Sequence, residues 1–216
     1  MNLIDVVTNA WKVGNAIDLS GVGYGQIHWG NRKDIIKEPF DYYKFLSGFV
    51  SAQNLTSILE IGTHWGGATV SMARGCTDIS RRSNARIFTI DVTDESDKWL
   101  PAQPEALFIR KFVGNANNKP AIDAAIDFFK PDSKLELLFI DADHSFMPTF
   151  IQYAMYRTIF SPKYVILDDI NLNDEMRELW TILTKNMSPN AYVVANEIVP
   201  DVRGKDSGLG IIAISG

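Results

Sequence analysis

Ser57-Ile58-Leu59-Glu60-Ile61-Gly62-Thr63-His64-Trp65-Gly66-Gly67-Ala68-Thr69 decides how this chain is read. A short, almost continuously apolar run ends in a glycine turn, and a helical stretch, Ala68–Gly75, follows at once. Glycines between a strand and a helix permit a tight turn and let a ligand approach the backbone. The spacing is Glu-x-Gly-x-x-x-Gly. It is not the Gly-x-Gly-x-x-Gly of dinucleotide enzymes, because His64 takes the middle glycine position. Taken alone, the motif also fits a purely structural turn.

The same alternation continues outward. Further apolar runs lie at Arg86–Asp91, Ala106–Val113, Leu135–Asp141, Tyr164–Asp168, Tyr192–Ala195 and Leu209–Ile214. Helical stretches lie at Lys119–Lys130, Ser145–Phe160 and Asp174–Asn186. Runs such as Leu135-Glu136-Leu137-Leu138-Phe139-Ile140 are those of strands buried on both faces. Strand–helix alternation with right-handed crossovers predicts an α/β fold, a mostly parallel sheet between two helical layers. The last two strands show no helix between them. Their connector, Asp201-Val202-Arg203-Gly204-Lys205-Asp206-Ser207-Gly208, is polar and glycine-bearing, which predicts an antiparallel hairpin at the end of the sheet.

Residues 1–56 differ in pattern and are expected to form a helical and loop segment of the same domain. Asn2–Val13 and Phe40–Gln53 space their apolar residues as helices do, and Pro39 sits where a helix can begin. Between them, Gly14–Glu38 carries Gly21, Gly23, Gly25 and Gly30 and reads as a plain connecting loop or a lid over a site. No strand precedes these glycines, so a phosphate cradle has no support there.

The 216 residues suit one domain, with residues 57–216 as its ligand-binding body. A single cysteine, Cys76, excludes an internal disulfide framework and fits a reducing compartment. A net charge of −5 argues against a nucleic-acid partner, which needs a basic face. No stretch of about 18 apolar residues runs without a charge, so no membrane span is expected. The apolar run Leu3–Val7 is broken by Asp5 and lacks a cleavage pattern, and a cytoplasmic protein is the expectation.

In open α/β sheets ligands bind beyond the carboxyl ends of the strands. Those ends carry Glu60 and Gly62, then Asp91, then Asn115 within Val113-Gly114-Asn115-Ala116. A carboxylate such as Asp91 can accept both hydroxyls of a ribose, and the Asn115 amide can read an adenine edge. The alternative for Asp91 is a solvated strand end, given Asp94-Glu95-Ser96-Asp97 beyond it. The fourth strand ends in Asp141-Ala142-Asp143-His144 and the fifth in Asp168-Asp169. Neighbouring strand tips stand about 5 Å apart, so Asp141, Asp168 and Asp169 would crowd one corner. Like charges at that distance need a cation or a proton between them. An all-oxygen set suits Mg²⁺ or another hard divalent cation. Asp143 is expected to cap the next helix. His144 is a candidate general base, and a surface histidine at a helix start is the alternative. His64 and His28 are weaker candidates. The aromatic residues Phe146, Phe150, Tyr153 and Tyr156 are assigned to the core.

The segments Ile58–Thr69, Phe88–Asp91, Leu138–Phe146 and Val165–Asp169 resemble class I S-adenosylmethionine-dependent methyltransferases. The closer likeness is to the branch of macrolide and aminocoumarin sugar O-methyltransferases and cephalosporin-hydroxylase-like proteins, over roughly residues 55–216. The resemblance implies a Rossmann-like seven-stranded sheet of order 3-2-1-4-5-7-6 with one antiparallel strand. It implies S-adenosylmethionine bound by Glu60, Gly62, Thr63, Gly66, Asp91, Asn115 and Asp141. It also implies Mg²⁺ on Asp141, Asp168 and Asp169, and transfer of a methyl group to a hydroxyl of a small molecule. Asn115 departs from the aspartate common in that family. In the expected mechanism Asp141 and His144 are catalytic, and His144 takes the hydroxyl proton. A hydroxylase-like protein and a non-catalytic nucleoside-binding or regulatory protein share the scaffold. An open cleft favours catalysis, and a cleft plugged by Trp29 or Trp65 favours the binding module. The N-terminal segment is expected to cap the acceptor side; its helices pack on the sheet of the same chain or on a partner in a homodimer, and Trp11, Phe40, Tyr42 and Tyr43 offer apolar surface for either.

Overall fold

Side chains alternate across a strand, and two separate cores result. In β1 (Ser57–Ile61) Ile58 packs with Ile87, Leu137, Phe139 and Ile166 on one face of the sheet. Leu59 and Ile61 pack with Phe88, Ile90, Leu138 and Leu167 on the other. The computed structural model describes residues 2–22, 40–76, 84–97, 99–130, 134–204 and 206–214. The greater part of the predicted Gly14–Glu38 loop, with His28 and Trp29, lies outside them, as does Pro39.

The strands β1, β2 (Arg86–Asp91), β3 (Ile109–Val113), β4 (Leu137–Ile140), β5 (Tyr164–Asp168), β6 (Tyr192–Val194) and β7 (Leu209–Ala213) form one sheet of order β3-β2-β1-β4-β5-β7-β6. The first five are parallel, and β7 runs antiparallel to both β5 and β6. The expected class and strand order are therefore present. One face carries α1 (Leu3–Gly14), α2 (Asp41–Ala52) and α3 (Gly67–Gly75). The other carries α4 (Lys119–Phe129), α5 (Phe146–Phe160) and α6 (Asp174–Thr184). Tyr153 and Tyr156 of α5 are buried in this second core, as expected of them.

Three local expectations need correction. The β6–β7 connection is not a bare loop: it holds a short helix, α7 (Ala195–Ile198), and a 3₁₀ turn over Pro200–Val202. Its own Ala195 and Val202 are buried in the first core, so this connector is packed onto the sheet. The strand expected from Ala106 starts at Ile109, because Pro104 opens a 3₁₀ turn over Pro104–Phe108. The strand expected from Leu135 is shorter too. Glu136 instead turns its carboxylate to the Thr56 and Ser57 backbone N–H groups at 2.7 and 3.2 Å, tying the starts of β1 and β4.

The N-terminal helices belong to the first core. α2 wedges between α1 and α3, burying Phe45, Leu46, Phe49 and Val50. Its approach to α1 is close enough that a methyl group on Gly48 would run into the Ala10 carbonyl oxygen, and one on Gly14 into that of Lys44. Two backbones in contact cannot yield as side chains can. Gly48→Ala is therefore expected to cost about 1–3 kcal/mol or more in urea unfolding, despite alanine's better helix propensity.

Candidate active site

The sheet reverses its order between β1 and β4, and the ends of these strands open a crevice there. The crevice has a volume of about 1010 Å³, at the upper end of the ligand-pocket range and roomy enough for two small molecules. Its floor depends on Gly62. With φ of 103°, this residue lets the chain turn out of β1, and any Cβ there would strike the Asp141 carbonyl. Gly62 N–H donates to Ile90 O and Asp141 N–H to Ile61 O, both at 2.8 Å, so the turns after β1, β2 and β4 are locked together.

The turn delivers Thr63, His64 and Trp65 to the cleft wall. His64 adopts φ of 45°, and its N–H donates to Asp91 Oδ2 at 2.7 Å. Asp91 Oδ1 accepts from the Thr93 N–H at 3.0 Å. The carboxylate is thus aimed by backbone groups at the end of β2 and still lines the cleft. Asn115 lines it too, with its Oδ1 accepting the Asn117 N–H at 2.8 Å. Beside it, Asn117 Oδ1 and Gln152 Oε1 are buried with no hydrogen-bond partner among the described residues. Aimed carboxylate, glycine turn and two waiting amide oxygens fit a nucleoside with a donor-bearing base.

Glu60 and Gly66 lie elsewhere. Gly66 faces Leu100 and Trp99 rather than the cleft. Glu60 is fully buried under the turn, where Oε2 accepts from Thr69 Oγ1 and, at 2.6 Å, from Thr89 Oγ1. Thr89 Oγ1 is 2.6 Å from Thr63 Oγ1, so the carboxyl organises the floor from below. Burial pushes its pKa from 4.5 to about 8.

The carboxylate corner is filled by side chains of the chain itself, Arg203 and His144. Arg203, directly after the 3₁₀ turn Pro200–Val202, places Nη2 2.6 Å from Asp168 Oδ2 and Nε 3.1 Å from Asp168 Oδ1. Nη2 also lies 3.2 Å from Asp169 Oδ1. The guanidinium rests 4.3 Å from the centre of the Tyr42 ring on α2. Although burial works against its charge, the carboxylates around it drive the Arg203 pKa up. His144 Nε2 stands 3.4 Å from both Asp141 Oδ1 and Asp169 Oδ2. Burial would lower its pKa, but these carboxylates outweigh it and the net shift is upward.

The Mg²⁺ expected on Asp141, Asp168 and Asp169 does not fit this arrangement. The Asp168 side chain has no exposure, does not line the cleft and gives both oxygens to Arg203. Among the described residues no group of His, Cys, Asp or Glu is disposed to hold a metal ion. Asp143 also departs from its expected capping role. Ser145 occupies the N-cap of α5, Asp143 accepts its hydroxyl, and Glu175 receives the Phe146 N–H at 2.8 Å. Arg203, Tyr42, Tyr43 and Gln152 are cleft residues that sequence reasoning missed. An arginine in a polar connector carries no periodic signal, and Tyr42 and Tyr43 read as packing surface of the N-terminal helices rather than as cleft wall. Among the described residues nothing fills the cleft, and Trp65 stands along its wall; Trp29 lies outside those residues.

Glu60 is neutral in the folded protein below about pH 8 and ionised in the unfolded chain above 4.5. Its contribution is therefore complete below pH 4.5 and is lost as pH rises through about 8. Relative to wild type, Glu60→Gln is expected to flatten the fall in urea-unfolding stability across this window, by at most about 1.4 kcal/mol per pH unit.

The sequence matches the rhamnosyl O-methyltransferase/CmcI family over residues 24–191. The match starts well before residue 55, so part of the N-terminal segment belongs to the family pattern. Searching the curated proteins gave no significant match. Among solved structures, the O-methyltransferase TomG of Streptomyces achromogenes, in complex with S-adenosylmethionine, is similar with a TM-score of 0.59. It is 16% identical, and the alignment covers 98% of this chain and 90% of that one. Cofactor-bound Rv0187 from MTB aligns with a TM-score of 0.58 and 17% identity over 97% and 89% of the two chains. The TDP-rhamnose 3′-O-methyltransferase CalS11 aligns at 0.53 and 14% identity over 81% and 78%. At these identities the likeness is one of fold, whereas the family match spans most of the sequence. The chain belongs to the rhamnosyl O-methyltransferase/CmcI family of S-adenosylmethionine-dependent methyltransferases.

Proposed function

We propose that this protein transfers a methyl group from S-adenosylmethionine to a hydroxyl oxygen of a small-molecule acceptor. The observation that carries the proposal is the position of His144. Its imidazole lines the cleft beyond the β1–β4 switch, between two carboxylates, and the volume there exceeds what one nucleoside needs. S-adenosylmethionine, when bound, supplies a methyl carbon that is already electrophilic. What the protein must add is alignment and removal of a proton. Gly62, Thr63 and Asp91 are the groups for the cofactor side, and the buried threonine–Glu60 cluster keeps their turn rigid. Holding two reactants in line contributes roughly 7–11 kcal/mol of the barrier reduction.

On the acceptor side, Tyr42 and Tyr43 of α2 line the same cleft as His144. Neutral His144 keeps its proton on Nε2, between Asp141 and Asp169, and accepts the hydroxyl proton at Nδ1 as the oxygen–methyl bond forms and the carbon–sulfur bond breaks. Asp141 and Asp169 then stabilise the imidazolium. Asn173 Nδ2 donates to the His144 carbonyl at 2.8 Å, tying the base to the start of α6. A small hydroxyl compound, rather than a polymer, suits a cleft of about 1010 Å³ on an acidic protein.

S-adenosylmethionine at about one hundred times its Kd is expected to stabilise the protein by about 2.7 kcal/mol, roughly 5–10 °C in Tm. Asp91→Asn should remove most of that shift. A shift from a nicotinamide dinucleotide in place of S-adenosylmethionine would overturn the reading. His144→Gln should keep the thermal shift yet lower turnover about 10²–10⁴-fold. Because its pKa is raised above 6.5, the acidic limb of the wild-type kcat/KM profile should lie above that value.

A further inference from the structure

We propose that Arg203 takes the place of a divalent cation in this site, so that the methyl transfer proposed above proceeds without metal. The inference rests on that reading for the reaction, and on the corner itself for the exclusion of the ion. Parallel strands bring Asp141, Asp168 and Asp169 to one end of the sheet. An acidic corner can be neutralised by an ion from solution or by a side chain. Here the guanidinium fork matches the two oxygens of Asp168 and reaches Asp169 with the same Nη2, while its flat face lies on Tyr42. This planar, bidentate recognition is what arginine supplies and an ammonium group does not.

Mg²⁺ requires oxygens close to an octahedron at about 2.0–2.1 Å. To offer one, Asp168 would have to release the guanidinium, leaving Arg203 with its other donors in a site that is buried on the Tyr42 side. His144 closes the remaining gap between Asp141 and Asp169. The Nη1 group of Arg203 makes no hydrogen bond to a described residue, and Arg203 lines the cleft. Its donors are available to an acceptor oxygen as negative charge develops there, the part a bound cation would otherwise play. Arg203 sits beyond residues 24–191 that match the family, on the packed β6–β7 connector.

The test is a Mn²⁺ titration followed by the electron paramagnetic resonance of the free ion, on the whole protein. Wild type is expected to take up no Mn²⁺ at submillimolar concentration. Arg203→Gln should gain one site per chain, displaceable by Mg²⁺, and Arg203→Gln with Asp168→Asn should lose it again. A wild type that binds one Mn²⁺ per chain overturns the proposal, and so does a folded Arg203→Gln protein that binds none. Should Arg203→Gln not fold, the wild-type titration decides by itself. S-adenosylmethionine binding is read separately by thermal shift. Wild type that binds both cofactor and Mn²⁺ sinks this inference alone, whereas loss of the cofactor shift sinks the methyltransferase reading and leaves the ion result standing.

Discussion

Carboxylates at the ends of adjacent parallel strands repel one another, and the site is built around relieving that repulsion. Asp168 closes β5 with its side chain fully enclosed, and Asp169 follows with φ of 56°, a backbone region that costs most residues energy. Such a pair persists only with a counter-charge in fixed geometry. Arg203 provides it from the far end of the chain, and removing one partner from a buried pair of this kind generally costs about 3–5 kcal/mol. The guanidinium also draws three parts of the fold together. It joins the tip of β5, the packed β6–β7 connector and, through Tyr42, the N-terminal helix α2.

That junction explains how residues before β1 reach the acceptor side. α2 is held against α1 and α3 by backbone contacts that only glycine allows at Gly14 and Gly48. A methyl at Gly67, the first residue of α3, would lie 2.5 Å from the Tyr43 hydroxyl oxygen. The glycine-rich turn after β1 therefore has two tasks. Gly62 brings the strand-end backbone close to the cleft, and Gly67 admits the tyrosine that walls it. The cofactor side and the acceptor side thus share one turn.

Much of the fold was legible because burial on both faces of a parallel sheet writes itself as apolar runs of strand length. Ser57–Ile61, Arg86–Asp91 and Tyr164–Asp168 end where the runs end. The β6–β7 connection was not legible, since α7 and its 3₁₀ turn are too short to show periodicity and are held by packing of Ala195 and Val202. Within the site, Gly62, Asp91, Asn115, Asp141, His144 and Asp169 do meet in one cleft. Glu60 does not, because a strand's alternation carries its side chain beneath the turn to Thr69 and Thr89.

By itself the sequence determined the strand–helix alternation with its mostly parallel sheet, the end of that sheet where the cleft opens, and the acidic residues gathered there. These follow from local pattern: apolar run, turn glycine, strand-end carboxylate. Only the tertiary structure decided which cation those carboxylates hold. Arg203 is 34 residues from Asp169 in the chain and 3.2 Å from it in space. No spacing rule links a polar connector to a strand tip, since the contact exists only once β7 has paired antiparallel with β5 and brought its preceding turn back over the cleft.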